Sequence, residues 1–459
     1  MAELIQFPGP DPTAADLRAP AEAVLRSNDD GTYTVPSRAT YPHQWNWDSA
    51  LVALGWAELD PGRAWTELET LASARDAQGM VPHIAFHSRL SDRIDLRVRG
   101  ILTRFARPRA RYLPGPRWWG VRQSVDGRRI SGITQPPLAA TCARILFEDH
   151  PDETRARALI APLLSWQRFL LEERDPLGLG EPTLIHPWES GRDNAVEWDA
   201  PLARVVSEVT VLHRRDTDSV DAAERPSDKH YRRFLTLVRR GTEAGWPQER
   251  LARGGPFRVL DPGFSAICAR GCADLAWLAE QVGEQHAAEE CALAAERVGS
   301  ALRARASADG LLRAVDLTDD STLEVTSAGS ALALLSPDLT AKQVKAARAL
   351  VSGGALTSPF GVRSLERGHP KLEPRNYWRG PVWTNVTWLA ARGLELHGDA
   401  DAAQVLRAQV VLAAAGGGLR EYFAPDSGRG LGAQDFAWTA ALTLRELAGA
   451  RRAGARAAA

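Results

Sequence analysis

The chain has 459 residues, 44% hydrophobic and 25% charged, with 56 Lys and Arg against 57 Asp and Glu. That near-neutral balance favours neither nucleic acid nor an anionic membrane surface as a partner. No apolar run approaches the ~20 residues of a transmembrane helix, and Met1 to Pro8 lack both the basic start and the apolar stretch of a secretion signal. A cytoplasmic protein is expected.

Residues 1 to about 20, rich in Pro, Asp and Ala, are expected to lie along the surface. Beyond them, Ala/Leu-rich amphipathic patterns predict helices over roughly 47–59, 63–75, 137–148, 155–173, 262–282, 286–306, 340–352, 384–397, 399–415 and 436–450. Strand signals are confined to 312–326 and 183–186. Such helices, joined by Gly/Pro-rich loops without a linker, predict one all-α domain of helix pairs over residues 1–459. The absence of a fixed-length repeat disfavours a solenoid. A closed helical toroid buries both ends of the array and lets loops at one end converge on its axis. Two stretches break the rhythm. Residues 88–111 hold eight arginines against Asp92 and Asp95, and residues 213–239 mix Arg, Asp and Glu with Tyr231. Lid-like insertions are expected over about 88–134 and 205–260; a solvated basic face is an equal reading of the first. Cys142, Cys268, Cys272 and Cys291 sit in apolar helical patterns and read as core thiols of a reduced protein.

The chemistry gathers in four other stretches. His186 to Asp199 packs two indoles and four carboxylates into 14 residues with neither helical nor strand periodicity. Tyr41-Pro42-His43-Gln44-Trp45-Asn46-Trp47-Asp48-Ser49 opens the first clear helix, and Arg375 to Asn385 opens another. The fourth runs from Gly416 through Glu421-Tyr422-Phe423 to Asp435-Phe436-Ala437-Trp438. Almost half of the fifteen tryptophans fall in these stretches, where core packing would spread them over the helices. Indoles stack on the apolar face of a pyranose while carboxylates bind hydroxyls or move protons, so an aromatic-lined carbohydrate cleft is expected. Glycoside hydrolysis needs two carboxyl groups. Asp193 and Glu421 come from different stretches, as opposite walls of a cleft require; by chemistry alone Glu189, Asp199, Asp48 or Asp435 could also serve.

The stretches rank themselves by resemblance. Trp188-Glu189-Ser190-Gly191-Arg192-Asp193-Asn194, Tyr377-Trp378-Arg379-Gly380-Pro381-Val382-Trp383 and Gly432-Ala433-Gln434-Asp435-Phe436-Ala437-Trp438 resemble, in that order, the motifs of glycoside hydrolase family 63. The similarity spans roughly residues 35–447 and is strongest to the bacterial mannosylglycerate and glucosylglycerate hydrolases. It implies an (α/α)6 toroid and an inverting mechanism, with Asp193 as general acid and Glu421 as general base. It further implies that Tyr41, Trp47, Asp48, Gln135, Trp188, Tyr377, Trp378, Trp383 and Gln434 line the sugar subsite. Tyr112-Leu113-Pro114-Gly115-Pro116 and Arg225-Pro226-Ser227 with Tyr231 are similar to the stretches that hold glycerate in that subgroup. A guanidinium forking onto a carboxylate is the expected way to bind an anionic leaving group. The two dozen residues between His87 and Tyr112 depart from the short connection the subgroup implies.

The leading expectation is hydrolysis of a small α-linked glucoside or mannoside of glycerate. A trehalase-like or oligosaccharide α-glucosidase, and a non-catalytic sugar-binding toroid, are the competing readings. The histidines at 43, 83, 87 and 186 lack the spacing of a helical zinc site, so neither metal nor cofactor is expected. A small carbohydrate is the expected partner, without nucleic acid or membrane, and homo-oligomerisation is left open.

Overall fold

The computed structural model describes residues 17–87, 115–210, 212, 214 and 216–458. Its scaffold is a double ring of helices, built from the pairs α1 (Arg18–Asn28) and α2 (Asn46–Ala57), α3 (Pro61–Ser73) and α4 (Ala139–Asp149), α5 (Glu153–Glu172) and α6 (Pro262–Gln281). The second half repeats the pattern with α7 (Gln285–Ala304) and α8 (Ala328–Leu332), α9 (Ala341–Val351) and α10 (Thr384–Leu396), α11 (Ala400–Gly417) and α12 (Ala437–Ala458). The even-numbered helices contact one another in sequence, α2 to α4, α4 to α6 and so on to α12, which packs back on α2 and closes the ring. The odd-numbered helices lie outside them. This is the expected (α/α)6 toroid.

Burial explains which helix goes where. Every residue of α2 is buried, so it needs no polar face and belongs to the inner ring. In α3 only Ala64, Trp65, Glu67, Leu68, Leu71 and Ala72 are buried, one stripe of an outer helix. The outer helices begin on strong signals: Asp60 caps α3 ahead of Pro61, Asp152 caps α5, and Thr340 with Gln343 forms a capping box on α9. Ring closure depends on a missing side chain. A Cβ on Gly55 of α2 would lie 2.4 Å from the Cα of Ala441 on α12.

The helices expected from periodicity all appear, within two residues at their ends except for α12, which runs on to Ala458 instead of ending near 450. Unforeseen are α1, the short α8 and the helices Asp228–Ala244 and Gln248–Gly254 of the 205–260 insertion. The 312–326 signal becomes a short hairpin, Val315 opposite Thr322 and Asp316 opposite Ser321, extended by Val259–Leu260; Leu184 bridges to Val259. All four cysteines are free and buried. Among the described residues no helix is long and apolar enough to cross a membrane. The arginine-rich run 88–111 and Tyr112 lie outside the described residues.

Candidate active site

The four stretches meet at one end of the ring. Three of them run directly into inner helices: Tyr41–Trp45 into α2, Tyr377–Trp383 into α10 and Glu421–Phe436 into α12. Gln135 likewise precedes α4. Because the inner helices run side by side, their N-terminal ends gather these loops around one cavity. Tyr41, Trp47, Asp48, Gln135, Trp188, Tyr377, Trp378 and Trp383 all line it, together with Asp193, Glu421, Arg225 and Tyr231.

The loop that carries Asp193 is held firmly without a side-chain bond to Asp193 itself. Pro187–Ser190 forms one 3-10 turn, capped by His186, whose Nδ1 accepts from the Trp188 N–H at 3.1 Å while Nε2 donates to the Phe234 carbonyl at 3.1 Å. Burial pushes the His186 imidazole down to about 3, which keeps it neutral in this role. Gly191 then turns the chain at φ +70°; a Cβ there would lie 2.5 Å from the Trp47 ring, so both the conformation and the approach demand glycine. On one side of Asp193, buried Arg192 pairs with Glu197 and, at 2.7 Å, with Asp261, the N-cap of α6. On the other side, Asn194 accepts from the Trp378 N–H at 3.0 Å and donates to Asn376 at 2.8 Å. Among the described residues no side chain hydrogen-bonds to the Asp193 carboxyl. Burial raises it from 3.8 to about 8, against the pull of Arg225 and with a further push from Glu421. It therefore holds its proton at neutral pH.

Glu421 has the opposite surroundings. It is 1% exposed, and its Oε1 accepts from the Tyr41 hydroxyl at 2.7 Å while Oε2 accepts from the Ala433 N–H at 2.9 Å. Arg225 Nη1 donates to both oxygens, at 3.4 and 3.3 Å. Three donors, one of them charged, surround this carboxylate. The two carboxyl groups that resemblance singled out thus face one cavity, one without a side-chain bond and one surrounded by donors. Asp48 shares that cavity, and burial followed by the charge of Glu421 pushes its carboxyl well up. The other carboxylates that composition left open are structural or exposed. Glu189 is paired with buried Arg174 and accepts from the Ile185 N–H at 2.7 Å. Asp199 binds Arg379 and Lys371 at 3.0 and 2.8 Å, and Asp435 is exposed in a turn at φ +49°.

One wall is a stack of rings: Trp378 lies parallel to Trp383 at 3.8 Å between centroids, and Trp383 lies on Tyr422 at 4.6 Å. Arg225, expected on the acceptor side, is 2% exposed, with its guanidinium carbon 4.3 Å from the Tyr377 ring centre. Among the described residues Arg225 forms no ion pair with its sequence neighbours Glu224 and Asp228. Arg225 turns inward, Nε to Asp216 at 3.1 Å and Nη1 to Glu421. Gln434, expected in the sugar subsite, is exposed and absent from the lining, which corrects that expectation. The turn at Asp435 is tied down by Ser37 and Asn28, and Phe436 and Trp438 face the cavity instead. His83, stacked on Trp188 at 5.8 Å, and Trp45 also line it. Trp45 and Trp438 stood in the tryptophan-rich stretches already; His83 carried no signal beyond its loop position.

Comparison with known proteins identifies the family of the chain. A family model described as mannosylglycerate hydrolase MGH1-like glycoside hydrolase domain matches residues 41–439. A mannosylglycerate hydrolase of Thermus thermophilus is 37% identical over 431 residues, 92% of this chain and 99% of the relative. A glucosylglycerate hydrolase of Mycolicibacterium hassiacum is 33% identical over 457 residues, 95% of this chain and 98% of the relative. The crystal structure of a GH63 mannosylglycerate hydrolase from Thermus thermophilus in complex with Tris and D-glycerate matches at a TM-score of 0.83 and 36% identity, covering 94% of this chain and 99% of that one. With a family match over most of its length and relatives 33–37% identical almost end to end, the chain belongs to the MGH1-like glycoside hydrolases of family GH63.

Proposed function

We propose that this enzyme hydrolyses a small α-linked hexoside of glycerate, glucosylglycerate or mannosylglycerate, to hexose and glycerate with inversion at the anomeric carbon. Asp193 is the general acid: its carboxyl, protonated at neutral pH, delivers a proton to the glycosidic oxygen as the bond to the anomeric carbon breaks. Glu421 is the general base, taking a proton from the water that attacks the opposite face. The aromatic stack and Asp48 hold the hexose.

The observation that carries the substrate reading is Arg225. A buried guanidinium on the cavity wall, beside the base and with Tyr231 next to it, suits an anionic leaving group. Glycerate is too small to be held by apolar burial, so charge-assisted bonds must supply its recognition. The names of the relatives at 33–37% identity support the same substrates.

The deciding experiment incubates the enzyme with glucosylglycerate, mannosylglycerate, glucosylglycerol and trehalose, following the released sugar by NMR. The charged glycosides should be hydrolysed at least tenfold faster in kcat/KM, with the β-hexose appearing first. Equal rates on neutral glycosides would favour the trehalase-like reading, and an initial α-product would exclude inversion.

A further inference from the structure

Behind Arg225 and Tyr231 sits a carboxylate that does not itself line the cavity. Asp216 Oδ2 accepts from Arg225 Nε at 3.1 Å and from the Tyr231 hydroxyl at 3.0 Å. Arg214 closes the far side, bonding Asp216 at 3.1 and 2.6 Å while its guanidinium carbon stacks 4.0 Å over the Tyr231 ring. Asp216 is 8% exposed. Burial pushes its carboxyl up, yet Arg225 and Arg214 more than offset this and hold it at about 2, a permanent anion. Glu224, adjacent to Arg225, anchors the same segment by accepting from the Gly432 N–H at 2.9 Å.

These bonds set the hydrogen-bonding sense of both acceptor-side residues. Arg225 commits Nε to Asp216 and Nη1 to Glu421, so among the described residues its Nη2 has no partner. Tyr231 has given its only proton to Asp216, so its phenol oxygen can only accept. A donor of positive charge and a neutral acceptor then stand side by side on the cavity wall. That pair is complementary to a carboxylate with a neighbouring hydroxyl.

We propose that Asp216 is a positioning residue for the leaving group: it fixes Arg225 as donor and Tyr231 as acceptor, so that the site reads a hydroxy-acid and not a carboxylate alone. Without Asp216, Glu421 is the one anion left to Arg225, and the guanidinium turns toward the base and away from the leaving group. This inference rests on the glycerate reading above and goes beyond it to the residue that imposes it.

The test uses the intact chain and its Asp216→Asn and Tyr231→Phe variants. Binding of D-glycerate and of propionate, which lacks the hydroxyls, is measured by calorimetry; hydrolysis of glucosylglycerate is compared with that of α-glucosyl fluoride, whose leaving group needs no acceptor site. In the parent, D-glycerate should bind at least tenfold more tightly than propionate. Asp216→Asn should weaken D-glycerate at least tenfold and compress that ratio. It should raise KM for glucosylglycerate more than it lowers kcat, with a loss on the fluoride at least tenfold smaller. Tyr231→Phe, which keeps the Asp216–Arg225 pair, should compress the ratio while weakening propionate less than threefold. A parent that binds neither acid, or shows no preference for charged glycosides, would overturn the glycerate reading and this inference together. A parent that discriminates while Asp216→Asn discriminates equally would overturn the role of Asp216 alone. Equal losses on fluoride and glycoside would assign Asp216 to the fold.

Discussion

Glu421 accepts from Tyr41, Ala433 and Arg225, whereas no described side chain bonds the Asp193 carboxyl, and the proposed division of work between these two groups rests on that difference. Asp193→Asn should lower turnover of the natural glycoside 10²–10⁴-fold, the usual worth of a general acid, while sparing α-glucosyl fluoride. Glu421→Gln should damage both, since every substrate needs the water. In the parent, kcat/KM should fall above about pH 8 as Asp193 loses its proton, and that limb should vanish for the fluoride. The same shift carries a stability effect. Because the folded-state value lies above the unfolded ~3.9, the native protein binds more protons between about pH 4 and 8 and loses stability as pH rises through that window. Asn cannot ionise. Melting curves should show Asp193→Asn equal to the parent near pH 4 and more stable at pH 9, and a lower melting point at pH 9 would contradict the burial of the charge.

At the scale of elements, Asp193 owes its position to Arg192, which ties the loop to the N-cap of α6 through Asp261 and to Glu197 within the loop. Arg192→Met leaves two buried carboxylates facing each other. Removing one partner of a buried ionic cluster costs about 3–5 kcal/mol, whereas removing all of it is close to neutral. Guanidinium unfolding should therefore show Arg192→Met strongly destabilised and the triple variant with Glu197→Gln and Asp261→Asn restored most of the way. A single variant within ~1 kcal/mol of the parent would mean that Arg192 is not structural. Nothing local in the sequence marks Arg192, the variable position of its motif, because its partners lie 5 and 69 residues away. Elements were legible to the extent that their burial was one-sided. Outer helices such as α3 and α9 show a stripe and a cap. Helix α8, Ala-Gly-Ser-Ala-Leu, is buried on every side and offers no pattern. The helix Asp228–Ala244 does bury Phe234, Leu235 and Val238 on one face, but its run of arginines reads as a lid loop. Asp216 was invisible for a related reason: nothing local marks an aspartate whose role is set by Arg225 and Tyr231.

At the scale of the molecule, the closed ring explains why acid and base can sit 228 residues apart in sequence and still share a cavity. It also means that a chain break placed away from the cavity loops should leave the site intact. Helix α1 packs on α12, and Arg18 and Arg452 both reach Glu58, at 3.4 and 2.9 Å, so the described ends of the chain lie side by side. The loops that form the cavity open onto the N-terminal ends of α2, α10 and α12, so the turn after α10 at Gly398 is at the opposite end of the ring. Gly398 has φ +78° and no other group within 4 Å of where its Cβ would be, as expected of an exposed turn. A circular permutant that joins residue 452 to residue 18 through a short Gly/Ser linker, with new ends at 397 and 398, should keep kcat/KM within about tenfold of the parent. Its urea unfolding should give one transition, coincident by tryptophan fluorescence and by activity, because breaking any inner contact opens the whole ring. Opening the chain between Glu189 and Asn194 instead should abolish activity, since that loop aligns Asp193 from both sides. If the 398 permutant failed to fold while the parent unfolded in separate steps, the ring would be a chain of independent helix pairs and the shared cavity would need another explanation.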